Sequence, residues 1–135
     1  MKLNPYLNFA GNAEEVLNFY KEALGGEISE LGRYGESPMP SKEEHKNKVM
    51  HARFVFDDNL IMVSDVFERQ EFSTKGNITL SVDVENVSKM EEIFVKLSAG
   101  GKVTMPLQDT FWGARFGMLV DKFGVPWMFN CELKK

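Results

Sequence analysis

The chain repeats itself, and that limits its folds more than any other feature of the sequence. Residues 10–28, Ala-Gly-Asn-Ala-Glu-Glu-Val-Leu-Asn-Phe-Tyr-Lys-Glu-Ala-Leu-Gly-Gly-Glu-Ile, align with residues 85–103, Glu-Asn-Val-Ser-Lys-Met-Glu-Glu-Ile-Phe-Val-Lys-Leu-Ser-Ala-Gly-Gly-Lys-Val. Phe19/Phe94, Lys21/Lys96, Gly25/Gly100 and Gly26/Gly101 are identical at a spacing of 75. Both segments read as amphipathic helices, with stripes Val16, Phe19, Tyr20, Ala23 and Met90, Ile93, Phe94, Leu97. Asn12 with Glu15, and Ser88 with Glu91, have the spacing of a capping box. Each helix is expected to stop at its Gly-Gly pair.

An alternating strand precedes each helix. Residues 4–9 match residues 77–82 at a spacing of 73, which predicts two extra residues in the second strand-to-helix turn. Strand-like runs follow each helix, about 27–32, 49–56 and 60–66, then about 102–108, 112–120 and 126–132. Ala52-Arg53-Phe54 matches Ala114-Arg115-Phe116, and the turns at 57–59 and 121–124 correspond. The expected organisation is one α+β domain over residues 1–135. It contains two tandem βαβββ modules, about 1–70 and about 76–135. One such module has a single helix to cover its sheet, so the pair is expected to share a core or a cleft.

Composition removes whole classes of function. Of the 135 residues, 43% are hydrophobic and 27% charged, as in ordinary globular proteins. The run Leu60-Ile61-Met62-Val63 is far shorter than the ~18 residues of a membrane span. Met1–Pro5 has no apolar stretch, so no secretory signal is expected. Cys131 is the sole cysteine, which excludes an internal disulfide and any multi-thiolate metal site. A net charge of -4 speaks against nucleic-acid binding. A cytoplasmic location fits these observations.

The order of elements resembles the vicinal oxygen chelate superfamily of glyoxalases, bleomycin-resistance proteins and extradiol dioxygenases, and within it the PhnB-like family. The residues that carry the resemblance are Tyr6-Leu-Asn-Phe9, Gly11-Asn-Ala-Glu-Glu15 and Asn18-Phe-Tyr20. Gly100–Gly117, with Met105-Pro-Leu-Gln-Asp-Thr-Phe-Trp112 inside it, and Asp121-Lys-Phe-Gly-Val-Pro-Trp127 complete it. The resemblance implies a glyoxalase-like fold, a cupped eight-stranded mixed sheet around a small-molecule site, and a homodimer. Some PhnB-like proteins carry a demethylubiquinone methyltransferase label. Gly32-Arg-Tyr-Gly35 reads as a turn, not as a nucleotide loop.

Many superfamily members hold a divalent metal with one side chain from the first and last strand of each module. Strand parity puts Pro5, Leu7, Phe9 and Ile78, Leu80, Val82 toward the helices. Asn4, Tyr6, Asn8, Thr79 and Ser81 then face the cup, as do Met62, Ser64, Met128 and Asn130. The superfamily ligand positions fall on Asn4, Met62, Asn77 and Met128. Neutral amides are weak ligands for Zn or Fe, and thioethers select soft ions. No metal and no other cofactor is therefore expected.

Expected ligand-binding residues are Tyr6, Asn8, Met62, Asn77, Thr79, Trp112, Arg115 and Met128. Trp112 could stack on a planar ligand and Arg115 clamp an anion, or the hairpin could serve packing. His51 is a candidate general base with its direction left open, and Tyr6 a candidate acid. Asp65 reads as a strand-end carboxylate, Cys131 and Trp127 as core. Residues 32–48 form the longest stretch without a counterpart, either a lid or a solvated excursion. The expected function is metal-free binding of a small polar organic molecule; the alternative is a lyase, isomerase or dioxygenase working through His51.

Overall fold

The structure is a computed structural model that describes residues 2, 4–38, 40–67 and 78–133. The chain divides into two compact units, Met1–Phe72 and Ser73–Lys135. The first contains β1 (Tyr6–Phe9), α1 (Ala13–Leu24), β2 (Glu27–Arg33), β3 (Val49–Phe56) and β4 (Asn59–Asp65). The second contains β5 (Leu80–Asp83), α2 (Val87–Ser98), β6 (Lys102–Asp109), β7 (Ala114–Val120) and β8 (Pro126–Glu132). Both are α+β and both have the βαβββ order. The strands form two four-stranded mixed sheets, ordered β1-β4-β3-β2 and β5-β8-β7-β6. β1 runs parallel to β4 and β5 parallel to β8, and the other neighbours are antiparallel.

Each helix covers one face of its own sheet. α1 buries Ala13, Val16, Leu17, Tyr20 and Ala23, and the first sheet answers with Phe9, Ala52, Phe54, Ile61 and Val63. Leu17 is fully buried, whereas Phe19, placed in the stripe by sequence, is only half-buried. α2 buries Met90, Ile93, Phe94 and Leu97, the expected stripe. Removing a side chain the size of Leu17 or Phe129 from water contributes roughly 1.5–3 kcal/mol.

The Gly-Gly pairs divide their work. Gly25 sits at φ 76, in the left-handed region, and nothing crowds its Cβ position. A Cβ on Gly26 would collide with the Val55 carbonyl, and one on Gly101 with the Val120 carbonyl. The first glycine of the α1 stop lets the chain turn, and the second lets it lie against the strand backbone.

Three sequence expectations are corrected. Neither predicted capping box forms. Asn12 makes no side-chain cap, and α2 begins at Val87 with Asn86 Oδ1 accepting from the Lys89 amide. Both strand-to-helix turns have three residues, 10–12 and 84–86, so no insertion distinguishes them. Arg115 is not the counterpart of Arg53. Arg53 pairs with Met62, whereas Met118 pairs with Met128, so Met118 holds the equivalent place. The Ala-Arg-Phe match was a coincidence of three residues on strands whose registers differ.

Candidate functional site

The side chains that meet on the open face of the first sheet are Tyr6, Asn8, His51, Arg53 and Met62. Register explains why. Tyr6 pairs with Met62, Met62 with Arg53, and Arg53 with Ser29, a row across all four strands. Paired residues share a face, and neighbouring strands lie about 4.8 Å apart. Leu7, paired with Val63, points to the helix side instead. His51 lies two residues from Arg53 along β3, and its contact with Tyr6 places it on the same face. The Tyr6 phenol oxygen lies 2.9 Å from His51 Nδ1, and the rings are 5.7 Å apart. The direction of His51, open in the sequence, is toward Tyr6. Tyr6 is 43% exposed and His51 half-buried, so the pair is reachable from solvent.

Arg53 also stands on this face, a place the sequence reading did not single out although Arg53 alternates with the buried Ala52 and Phe54. It touches Glu30 Oε2 through Nε at 3.6 Å. Glu30 has φ 50 at the point where β2 slips register against β3.

The second module presents Ser81 opposite Met128, and Asp83 opposite Asn130. Ser81 thus occupies the place that Tyr6 holds in the first module, and Thr79 the place of Asn4. Asn77 lies outside the described residues. Phe116 shares the face of Asn130, and Met118 that of Met128. Trp112, in the β6–β7 turn, is 54% exposed and packs edge-on against Phe116 and Phe111. A concavity of about 410 Å³ at the end of β5 and β8 is lined by Asp83, Val84, Glu85, Asn130 and Glu132. Among the described residues, its lining includes none of the expected ligand residues.

Arg115 does not join this face. It pairs with Cys131 in register and points to the helix side. There it donates to Asp109 at 3.0 Å and to Glu91 of α2 at 2.6 Å. Hydrogen bonding to Asp109, with the Glu91 charge behind it, raises the Arg115 pKa. Arg33 is similarly engaged, donating twice to Glu14 and once to the Asn47 carbonyl. The Arg33 hydrogen bond holds the Glu14 carboxyl below its usual range, and Glu14 raises Arg33 in return.

Asp65 closes the first module from the helix side. Its Oδ1 accepts from the Gly11 and Ala13 amides and its Oδ2 from the Val49 amide, at 2.9–3.0 Å. It is the cap that α1 lacks in Asn12. The 32–48 segment is pinned beside it. Tyr34 donates to the Asp65 carbonyl at 2.6 Å, Lys48 donates to the Gly11 carbonyl, and His45 stacks on Phe67 at 3.6 Å. These ties run to the start of α1 and the end of β4.

The superfamily metal does not suit these residues. Of the four expected positions, Asn77 lies outside the described residues, Met62 and Met128 offer thioethers and Asn4 a neutral amide, a set that suits a hard divalent ion poorly. Among the described residues, no three His, Cys, Asp or Glu side chains are grouped to hold an ion. No described helix is long and apolar enough to cross a membrane.

Comparison with known proteins agrees with this architecture. The family model for 3-demethylubiquinone-9 3-methyltransferase matches residues 1–129. Protein YjdN of Escherichia coli K12 is 36% identical, covering 96% of this chain and 95% of that protein. The crystal structure of PA1353 from Pseudomonas aeruginosa is 39% identical, covers 99% of both chains and superposes with a TM-score of 0.89. A PhnB protein from Bacillus cereus is 31% identical, with 97% and 99% coverage and a TM-score of 0.82. A glyoxylase/bleomycin resistance protein/dioxygenase domain from Frankia shares the fold alone, at 15% identity, 98% and 97% coverage and a TM-score of 0.71.

Proposed function

The chain belongs to the PhnB-like family described as 3-demethylubiquinone-9 3-methyltransferase, and from that premise we propose that it binds a small polar organic molecule without a metal. The binding surface is the open face of the first sheet. The observation that carries this is the grouping of Tyr6, Asn8, His51 and Met62 on that face, while the opposite face is spent on α1. Hydrogen-bonding groups beside a thioether and a phenol ring orient a polar ligand and shield it on one side. Met128 and Thr79 would play the matching part on the second sheet.

The family's name speaks of methyl transfer. The strand-to-helix turns here are Ala10-Gly11-Asn12 and Val84-Glu85-Asn86, which hold one glycine between them. A glycine-rich loop that would cradle a nucleotide-like methyl donor is not built at either. We therefore favour binding over methyl transfer. We also infer a homodimer in the cytoplasm, on the family resemblance and the lone buried cysteine.

A second reading is favoured by the Tyr6–His51 hydrogen bond. A phenol tied to an imidazole is an acid/base pair that could move a proton on a bound substrate. Elemental analysis of protein grown in metal-rich medium tests the first reading, since one tightly held Zn, Fe, Ni or Mn per chain would end it. Loss of a measured activity in His51→Ala, with ligand binding and fold kept, would move the balance to the second.

A further inference from the structure

We propose that the molecule bound on the Tyr6 face carries an oxyanion, a carboxylate or a phosphate, and that Arg53 takes it. This rests on the binding reading above and names the ligand class for it. The contrast among the described arginines carries the proposal. Arg33 spends both fork nitrogens on Glu14 and the Asn47 carbonyl. Arg115 spends Nε on Asp109 and Nη1 on Glu91. Arg53 meets Glu30 only through Nε, at a long 3.6 Å, and its Nη nitrogens have no partner among the described residues. Its side chain is 38% exposed and that of Glu30 73%, so this ion pair is weak and easily displaced.

The surroundings suit an oxyanion. Arg53 stands in the row with Met62 and Tyr6, and His51 is two residues away on the same face. When the Tyr6 phenol donates to Nδ1 of an uncharged ring, the His51 proton sits on Nε2. A charged ring also presents Nε2–H. Guanidinium and imidazole N–H, two residues apart on β3, then offer donors to one acceptor group, and a guanidinium fork takes two oxygens of a carboxylate or phosphate at once. Glu30 and Glu27 are the carboxylates on β2 nearest this face, and Glu30 competes for Arg53. Arg53 has no arginine counterpart in the second module, where Met118 stands in its place. The guanidinium is thus a feature of one face and not an inheritance of the duplication.

The test is a side-chain NMR titration of the full chain at constant ionic strength, following Arg53 Nε and the His51 ring. The probes are sodium phosphate, sodium acetate and neutral acetamide. One of the anions is expected to give saturable shifts at Arg53 and His51, with acetamide at least about tenfold weaker. Stronger binding of phosphate or of acetate decides which oxyanion is meant. Arg53→Gln should weaken the anion about tenfold, Arg53→Lys less, and Glu30→Gln should strengthen it. Acetamide binding as well as acetate would overturn the oxyanion and leave the small-molecule reading standing. So would anion shifts that survive Arg53→Gln, or no shift at Arg53 from either anion up to about 50 mM, a range that covers weak fragment binding.

Discussion

Asp65 and Cys131 hold the same place in the two modules, one at the end of β4 and the other near the end of β8, and both are buried. Asp65 takes backbone amides from Gly11, Ala13 and Val49, whereas Cys131 makes only a weak thiol contact with the carbonyl of its neighbour Glu132. The first helix is capped from the last strand of its module, and the second by its own Asn86. Asp65→Asn puts an amide NH₂ among N–H donors and should cost about 2–4 kcal/mol. Cys131→Ala should cost about 1 kcal/mol or less, since only a small hydrophobe is trimmed. Urea unfolding of both variants checks the asymmetry.

The two glycines at the end of α1 should also differ. Gly25→Ala meets no steric neighbour but must hold φ 76 and ψ -174, a region essentially open only to glycine, at about 1–3 kcal/mol. Gly26→Ala combines its own positive φ of 98 with a collision against the Val55 carbonyl, and should cost more than about 3 kcal/mol or block folding. Gly101→Ala should resemble Gly26→Ala through the Val120 carbonyl. Thermal melts of the three variants rank them.

Arg115 bridges β6 and α2 through Asp109 and Glu91 at the protein surface. Arg115→Met should lower the melting temperature at low salt, and the difference should shrink near 1 M salt, where such pairs are screened. Ligand binding on the Tyr6 face should be unchanged. A lost ligand affinity with an intact fold would restore Arg115 as a binding residue.

The Glu14–Arg33 pair sets a pH dependence. Its hydrogen bond lowers the folded-state pKa of Glu14 below 4.5. The stabilisation is therefore present above the unfolded carboxylate pKa and is lost as pH falls through the lower folded value. Arg33 is raised and stays charged throughout. Both side chains are substantially exposed, so the contribution is below about 1 kcal/mol. The stability gap between the natural protein and Arg33→Met should be constant above about pH 5 and narrow toward pH 3.

Much of the fold was legible because duplication shows in periodicity. The α2 stripe, the Gly-Gly stops and the strand order needed only spacing. Parity placed Tyr6 and Met62 together because β1 and β4 are regular. It could not orient His51, since β2 and β3 slip register on either side of it. Arg115 was misplaced because a three-residue identity outweighed hairpin register, which the sequence does not display. Asp65 as the α1 cap was hidden by distance along the chain, at a sequence separation of 52 from Ala13. The Tyr6–His51 contact spans 45 residues and was hidden in the same way.

The most direct test follows the Met62 ε-methyl NMR signal in EDTA-treated protein during addition of acetate or phosphate. Met62 sits between Tyr6 and Arg53 in the cross-strand row, so a ligand on this face must disturb it. The expected result is a saturable shift of Met62 with no divalent ion present. A Met62 signal that stays still until Zn or Mn is restored would contradict metal-free binding on this face.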